Sequence, residues 1–284
     1  MLELPSGLVD AVTLGLGVRP ANDLAGLTAL YGAWCQAVPF DNVLKRLWLE
    51  ERWPGRLPGS TPVDFLRDWL EYRTGGTCWA GNGALAALLS TLGFEVALGA
   101  ATMLSAPDTP GPNHGTVVVT LPEGRFVTDA SIMSGTPLRL PEPGELPAPA
   151  AALPAVQLIE DGRVAILWRT VRQPEGMPCR IERIGLDAAE WDALHQNTGV
   201  WSPFNYATSA RLNRGADVLG YGAGLVYRIR PDGVLDSEPA DRAAMVRFLA
   251  EVLEIDGTVA DRLPDDRPVP PRPDGFAPPR AAGG

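Results

Sequence analysis

The stretch Thr74-Gly75-Gly76-Thr77-Cys78-Trp79-Ala80-Gly81-Asn82 is the most informative part of this chain. Gly75 and Gly76 allow a tight turn, and an apolar helix is predicted over 83–92. Free backbone N–H groups and the positive end of the helix dipole at such a helix start favour a thiolate over a thiol. The sequence therefore makes Cys78 a candidate nucleophile rather than a structural thiol.

Two residues further along the chain can complete a nucleophilic site. His114, one of only two histidines, opens a strand-like segment, and Asp129 closes the next one. A histidine can accept the proton of a nucleophile, and a carboxylate can orient the ring and stabilise the imidazolium. Cys78, His114 and Asp129 are therefore predicted to be nucleophile, base and orienting carboxylate. The other histidine, His195, lies on a polar helical segment and is expected to be a solvated surface residue.

The composition restricts the class of protein. With 284 residues and 45% hydrophobic content, the chain can bury one large core or two modest ones. A net charge of −10 argues against sequence-independent nucleic-acid binding and against an anionic membrane surface. No apolar run approaches the ~20 residues of a membrane span. We therefore expect neither a nucleic-acid partner nor a membrane.

The cysteines indicate the compartment. Cys35, Cys78 and Cys179 are scattered, odd in number and without a CxxC pair. This pattern predicts neither a zinc site nor a disulfide scaffold, so no metal is expected. The first residues also lack the basic and apolar stretches of a signal peptide. A cytoplasmic location is therefore predicted.

Apolar periodicity divides the chain into three regions and a tail. Residues 1–93 have helix-type periodicity and carry Cys78, and 94–185 contain strand-type segments. Residues 186–256 mix both patterns, and 257–284 form a tail rich in proline and glycine. An α+β fold follows, with the end of the tail disordered or draped over the surface.

Cap residues locate individual helices. Asn22, Thr61 (which precedes Pro62) and Asp187 are each predicted to be the N-cap of a helix. An apolar stripe at i, i+3, i+4, i+7 and i+8 predicts a last helix over 239–253.

With these residues identified, the chain resembles the arylamine N-acetyltransferases. Pro39-Phe40-Asp41-Asn42-Val43 is similar to the family's Pro-Phe-Glu-Asn-Leu, and 75–82 is similar to its nucleophile motif. His114 and Asp129 match its base and carboxylate, and Ser202-Pro203-Phe204 is a weaker match in the third region. The resemblance extends over roughly residues 20–256 and is strongest from 39 to 138.

The resemblance implies a fold and a reaction. The fold has a papain- and transglutaminase-like cysteine core, a helical N-terminal region, a central β-barrel and a C-terminal α/β lid. The reaction is a ping-pong transfer, in which the cysteine takes an acyl group from a thioester and passes it to an amine. The donor is acetyl-CoA or another acyl thioester, used as a co-substrate without a bound cofactor. The acceptor is a small-molecule arylamine or hydrazine.

The chain departs from the family's pattern at several positions, and the family's Asp-Val-Gly-Phe-Gly becomes Asp129-Ala130-Ser131-Ile132-Met133. Thr74 and Ala80 stand where arginine and glutamate are usual, and Met133 replaces a glycine. Ile132 replaces a phenylalanine that lines the acceptor pocket. From the resemblance, the substrate-binding walls are predicted to be Phe40, Ile132 and Phe204.

Three alternatives to this function stay open, and the departures at Ala80 and Ile132 suit the first of them. One is an amide synthase of secondary metabolism, which would take a polyketide or other acyl chain from an acyl carrier protein. The second is a cysteine hydrolase or transglutaminase-like enzyme, which would release an acid when no amine is present. The third is a binding protein that has kept the core without its catalysis.

Overall fold

The computed structural model of the protein describes residues 3–106, 109–150, 152–159 and 162–273. Within these ranges the helices are α1 (Ser6–Leu16), α2 (Leu24–Ala37), α3 (Val43–Glu50), α4 (Pro62–Tyr72), α5 (Cys78–Thr91), α6 (Ala188–Val200), α7 (Arg242–Glu251) and α8 (Gly257–Asp261). The strands are β1 (Phe40–Asp41), β2 (Glu95–Met103), β3 (His114–Leu121), β4 (Gly124–Val127), β5 (Leu138–Arg139), β6 (Ala155–Leu158), β7 (Val164–Trp168), β8 (Met177–Ile184), β9 (Ala210–Arg214), β10 (Asp217–Gly222), β11 (Leu225–Ile229) and β12 (Leu235–Pro239). The fold mixes helices and sheets, which confirms the predicted α+β class.

Helix α5 is the central element of the core. Nearly all of its side chains are buried, from Cys78 to Leu89, so it is apolar around its whole circumference rather than along one stripe. It packs against α4 on one side and against β2 and β3 on the other. Because α5 is fixed on several sides, its first residue, Cys78, has a well-defined position.

Seven strands form the larger sheet. Their order is β5-β4-β3-β2-β8-β7-β6, and every pairing between neighbours is antiparallel. The two edge strands, β5 and β6, lie beside each other, so the sheet is nearly closed like a barrel. Its interior holds an apolar cluster that includes Val118, Ile132, Ile166 and Trp168. The predicted β-barrel is therefore present as a seven-stranded sheet that is nearly closed.

The smaller sheet connects the two ends of the chain. Its order is β1-β9-β10-β11-β12, so its first strand comes from the helical region and the others follow α6. In this pairing Phe40 lies opposite Arg211, and Asp41 lies opposite Ala210. The strand that bears the Pro-Phe-Asp-Asn motif is therefore held by the last third of the chain. The division at residues 93, 185 and 256 stays a prediction.

Several helix boundaries differ from the predictions. Asp23, not Asn22, caps α2, and its Oδ1 accepts the Gly26 N–H at 2.7 Å. The helix predicted from 83 begins at Cys78. The helix predicted over 239–253 ends at Glu251, and α8 follows it, so it is not the last. Thr61 and Asp187 cap α4 and α6 as predicted.

The chain after α8 runs over the surface of the described structure. The Arg46 side chain bonds to the Asp266 carboxylate and, at 2.8 Å, to the Asp265 carbonyl. Further along, the Arg267 N–H donates to the Tyr206 carbonyl at 2.8 Å. Up to residue 273 the chain therefore lies against the surface, which is one of the two states expected for the tail. The rest of the tail, and residues 160–161 of the predicted hairpin turn, lie outside the described residues.

None of the helices in the described ranges is both long enough and apolar enough to cross a membrane.

Candidate active site

The turn before Cys78 is held by the Pro-Phe-Asp-Asn motif. The Asp41 carboxylate accepts the N–H groups of Gly75 at 2.6 Å and Val43 at 2.9 Å, and the Asp41 N–H donates to the Gly76 carbonyl. A Cβ at position 75 would lie 1.7 Å from the Pro39 carbonyl oxygen, so only glycine fits there. Burial raises the pKa of Asp41 to about 6, against the two N–H bonds, which lower it.

Cys78 is the first residue of α5, and its side chain is buried. The preceding Thr77 is the N-cap residue but makes no side-chain capping bond. The N–H groups of the first helical turn are therefore not bonded to a cap side chain, and Cys78 belongs to this turn. This is the arrangement that binds a developing oxyanion.

The unusual Ala80 is explained by packing. A Cβ built at Gly59 would lie 2.7 Å from the Ala80 Cβ, and one built at Gly76 would lie 3.0 Å from it. Phe65 closes the same space beside both glycines. A larger side chain at position 80 would therefore point towards Gly59, Gly76 and Phe65, and these neighbours would have to move to make room for it.

The structure brings His114 and Asp129 together with Cys78. His114 Nε2 lies 2.8 Å from Asp129 Oδ2, and both side chains are almost fully buried. Burial favours the neutral imidazole, but the charge of Asp129 and the charge and hydrogen bond of Cys78 outweigh it and raise the pKa of His114 to about 10. Since Nε2 faces Asp129, Nδ1 is the ring nitrogen that remains for the thiol. The site can therefore hold an imidazolium beside a thiolate.

Asp129 is kept ionised by its surroundings. Its Oδ1 accepts the N–H groups of Ser131 at 2.8 Å and Ile132 at 2.9 Å, so the carboxylate folds back onto its own turn. Burial alone would raise the pKa of Asp129, but the charge and hydrogen bond of His114 and the hydrogen bond from the Ile132 N–H lower it to about 2. The carboxylate therefore stays charged throughout the neutral range.

Asn82 links the nucleophile helix to the other two residues. Its Nδ2 donates to the Gly115 carbonyl at 2.7 Å and to Asp129 Oδ1 at 3.3 Å, and its Oδ1 accepts the Ala130 N–H at 2.9 Å. The sequence analysis gave Asn82 no role of its own. The available signal was a buried polar residue four positions after Cys78, hence on the same helix face.

Met133 has a backbone conformation that glycine adopts more readily than other residues. Its φ is +55°, in the left-handed region that glycine adopts without steric cost. Its N–H donates to the Asp129 carbonyl at 2.9 Å, and its own carbonyl accepts the Asn213 side-chain amide at 2.9 Å. These two bonds hold the turn after Asp129 despite the change of residue.

The predicted pocket walls lie in two neighbouring places. Phe40 and Phe204 form an edge-to-face pair with ring centroids 5.3 Å apart, and Asn42 Nδ2 donates to the Phe204 carbonyl at 2.7 Å. Ile132 is buried in the apolar cluster of the larger sheet, together with Trp168. Arg211 lies between the two places, because its guanidinium contacts the rings of both Phe40 and Trp168. The sequence analysis did not identify Arg211.

The prediction for His195 was wrong. The side chain is buried on α6, and burial together with Lys45 and Arg56 lowers its pKa to about 3. Lys45, the only lysine in the chain, is buried nearby and donates to the Thr198 carbonyl and hydroxyl, each at 3.0 Å. Burial lowers the pKa of Lys45 to about 7, although the neighbouring Cys78 raises it.

Cys35 and Cys179 have no partner that would activate them. Both are free and buried, and burial raises the pKa of Cys35 to about 12 and raises that of Cys179. Among the three cysteines, only Cys78 lies beside a base.

Trp79 packs edge-to-face on Trp191 with centroids 4.8 Å apart, and Trp191 Nε1 donates to the Trp79 carbonyl.

Comparison with known proteins identifies the relatives of this chain. A family model described as N-acetyltransferase matches residues 23–156. An arylamine N-acetyltransferase of Mycolicibacterium smegmatis is 30% identical over 136 residues, which is 45% of this chain and 47% of that protein. The chain thus matches about half the length of this curated relative.

Solved structures extend the likeness to the whole fold. The arylamine N-acetyltransferase of M. tuberculosis superposes with a TM-score of 0.72 at 20% identity, over 90% of this chain and 99% of that one. The Mycobacterium marinum arylamine N-acetyltransferase in complex with CoA also superposes with a TM-score of 0.72 at 20% identity, over 90% of this chain and 99% of that one. The resemblance indicated by the sequence motifs is therefore confirmed, both in the first half of the sequence and in the fold.

Proposed function

We propose that this protein, whose fold is that of the arylamine N-acetyltransferases, is a thiol acyltransferase that moves an acetyl group from acetyl-CoA to an amine. The observation that carries the proposal is the buried Cys78–His114–Asp129 arrangement at the start of α5. Acetyl-CoA is supported as donor by the relative solved in complex with CoA. The donor is consumed as a co-substrate.

In the first half-reaction the Cys78 thiolate attacks the carbonyl carbon of the thioester. The carbonyl oxygen gains negative charge, which the uncapped N–H groups at the start of α5 stabilise. The intermediate collapses with cleavage of the bond to the CoA sulfur, and the His114 imidazolium gives its proton to that sulfur. The products are free CoA and an acetyl thioester on Cys78.

In the second half-reaction the amine nitrogen attacks the thioester carbonyl carbon. His114, now neutral, takes the proton that the nitrogen loses, and Cys78 leaves as a thiolate. The amide is released, and the thiolate–imidazolium pair is restored. Asp129 keeps the ring oriented in both steps and stabilises its charged form.

We infer that the acceptor binds between the Phe40–Phe204 pair and Ile132. The Phe40–Phe204 pair offers aromatic surfaces, and Ile132 stands where the family has a flat aromatic wall. Residues 186–256 would act as the lid over this pocket. The contacts of Phe204 with Phe40 and with the Asn42 side chain support that role, since they attach this region to the site.

Intact-mass spectrometry tests the proposal directly. The protein is incubated with acetyl-CoA in the absence of an amine, and we expect a single acetyl adduct that peptide mapping places on Cys78. Addition of an arylamine should remove the adduct and yield the acetamide. Cys78→Ala should give no adduct, whereas the matched variant Cys179→Ala should give the same adduct as the wild type.

Each alternative predicts a different result in this experiment. An adduct that forms only with a longer or carrier-bound thioester would favour an amide synthase. Release of acetate at the same rate with and without the amine would favour a hydrolase. No adduct with any thioester would refute acyl transfer and would leave a binding protein.

A further inference from the structure

Tyr31 is a fully buried residue of α2 that lies against the turn following Asp129. Its hydroxyl oxygen accepts the Asp129 N–H at 3.1 Å, and the hydroxyl donates to the Asp129 carbonyl at 2.9 Å. The same oxygen accepts the Ser134 N–H at 3.1 Å. One phenol therefore bonds to the backbone on both sides of the catalytic carboxylate and to the far end of its turn.

The packing of α2 leaves this turn little freedom. A Cβ built at Gly32 would lie 3.3 Å from the Gly135 carbonyl oxygen, so the helix approaches the turn closely. Ser134 Oγ lies 3.1 Å from the Tyr31 hydroxyl and donates to the Thr136 carbonyl at 2.8 Å. The turn from 129 to 135 is therefore held against α2 at both of its ends.

The position of this turn decides where the Asp129 carboxylate lies. Its Oδ1 accepts the N–H groups of Ser131 and Ile132 within the turn, and its Oδ2 lies 2.8 Å from His114 Nε2. A displaced turn therefore carries the carboxylate with it and changes its distance from the imidazole. Because a charge-assisted hydrogen bond depends steeply on distance and angle, such a displacement weakens the hold on the imidazolium.

We propose that Tyr31 is a positioning residue of the active site, which keeps the Asp129 carboxylate directed at His114 and so keeps the imidazole charged and oriented for Cys78. This inference rests on the proposed acyl transfer and adds a residue to its machinery. Burial raises the pKa of Tyr31 well above its ordinary value, so the hydroxyl keeps its proton and can both donate and accept. Tyr31 acts on the reaction only through Asp129.

Removal of single hydroxyl groups tests the proposal. Tyr31→Phe removes the three bonds to Asp129 and Ser134 but keeps the ring and its packing. The matched variant is Tyr221→Phe, which removes the hydroxyl of a buried tyrosine on β10 that bonds to Asp266 instead. Tyr221→Phe should behave as the wild type in the NMR titration and in the kinetics.

NMR titration of the histidines is the first measurement. Burial lowers the pKa of His195, the only other histidine, to about 3, so a histidine signal that titrates above pH ~6 belongs to His114. In the wild type this signal should titrate near pH 10, because the charges of Asp129 and Cys78 outweigh burial. Tyr31→Phe should lower that midpoint by about one pH unit or more.

Steady-state kinetics connect this change to the reaction. In Tyr31→Phe, kcat should fall roughly 10-fold or more, whereas KM for acetyl-CoA should change by less than about twofold. In an Asp129→Asn background the same substitution should cause no further loss, because both residues act through one bond. Equal losses in the two backgrounds would overturn the proposal, since Tyr31 would then act elsewhere.

Two readouts keep the possible failures apart. If the wild type forms no acetyl-enzyme, the proposed acyl transfer fails, and the NMR titration alone decides the role of Tyr31. An unchanged midpoint of His114 in a folded Tyr31→Phe would leave Tyr31 with packing only and would overturn the proposal.

Hydrogen exchange in the wild type decides the case in which Tyr31→Phe does not fold. The N–H groups of Asp129 and Ser134 should then exchange as slowly as those of α5, because the Tyr31 hydroxyl holds them. Faster exchange of both groups would show that Tyr31 does not fix the turn, and the proposal would fail.

Discussion

His114 Nε2 and Asp129 Oδ2 lie 2.8 Å apart inside a site that excludes almost all solvent. Burial disfavours the charged form of each group, and the opposite charge of the partner favours it. Loss of either member of the His114–Asp129 pair should therefore lower both the activity and the stability of the protein.

Asp129→Asn should leave the protein folded but reduce kcat/KM by roughly 10³-fold or more, by analogy with other catalytic triads. The amide can hold the ring, but it favours the wrong tautomer and cannot offset the imidazolium charge. Steady-state rates and a thermal melt check both parts. Asp187→Asn, at the exposed cap of α6, should stay within a few-fold of wild type. Comparable activity in the two variants would mean that Asp129 only ends a strand segment.

The stability that the pair contributes should depend on pH from both sides. The pKa of Asp129 is lowered to about 2, so the folded state gains stability at pH values above about 4. This stability is lost as the pH falls towards 2. The raised pKa of His114, about 10, gives stability that is full below about 6.5 and is lost as the pH rises through 10.

A double-mutant cycle on His114→Ala and Asp129→Asn, measured by urea unfolding, isolates this contribution. The coupling should be about 3 kcal/mol between pH 4 and 6.5, as for a buried pair, and smaller at pH 10. A coupling that does not change with pH would contradict a charged pair.

Cys78 should be the one thiol that reacts with iodoacetamide at mildly acidic pH. Cys35 and Cys179 are fully buried, and their raised pKa values keep them protonated. Peptide mapping of partly labelled protein should show at least a ~100-fold preference for Cys78. His114→Ala should reduce its labelling, and equal labelling of all three thiols would refute its role.

Ile132→Phe should raise kcat/KM for a small neutral arylamine with acetyl-CoA as donor. The ring restores an aromatic surface against which an acceptor can stack. Because the site is packed, the added volume should also cost about 1–3 kcal/mol of stability. Ile166→Phe, in the same cluster, is the matched control and should show only the cost. If both variants behave alike, residue 132 does not face the acceptor.

Lys45→Met should stabilise the protein, and most strongly at low pH. The lowered pKa of Lys45, about 7, means that folding disfavours its ammonium form. That penalty is full below about pH 7 and fades as the pH rises towards the ordinary value near 10.5. The gain in Tm should therefore be larger at pH 6 than at pH 9. A gain in Tm that grows with pH would show instead that the folded protein stabilises the ammonium form of Lys45.

The nucleophile and its partners could be predicted because their signals are local. Gly75 and Gly76, the helix start at Cys78, and the strand ends at His114 and Asp129 each lie within one short segment. The order of helices and strands follows from periodicity for the same reason.

Arg211, Lys45 and His195 could not be predicted in this way. Arg211 is buried because β9 pairs with β1, a contact between distant segments that local periodicity does not encode. His195 lies on a helix of mixed composition, and it is buried in a place where Lys45 of α3 and Arg56 are its charged neighbours. Their roles depend on tertiary contacts, which override the preference that each segment shows alone.

The C-terminal segment that binds Arg46 has a consequence for how the protein opens. Arg46 lies on α3, which directly follows the strand whose Asp41 holds the turn at Gly75. When residues 265–267 detach, the Arg46 guanidinium loses its bonds to Asp265 and Asp266, so α3 is weakened at the same moment. Amide hydrogens of α3 and of this segment should therefore exchange as one cooperative unit, and the end of the chain helps to keep the nucleophile turn closed.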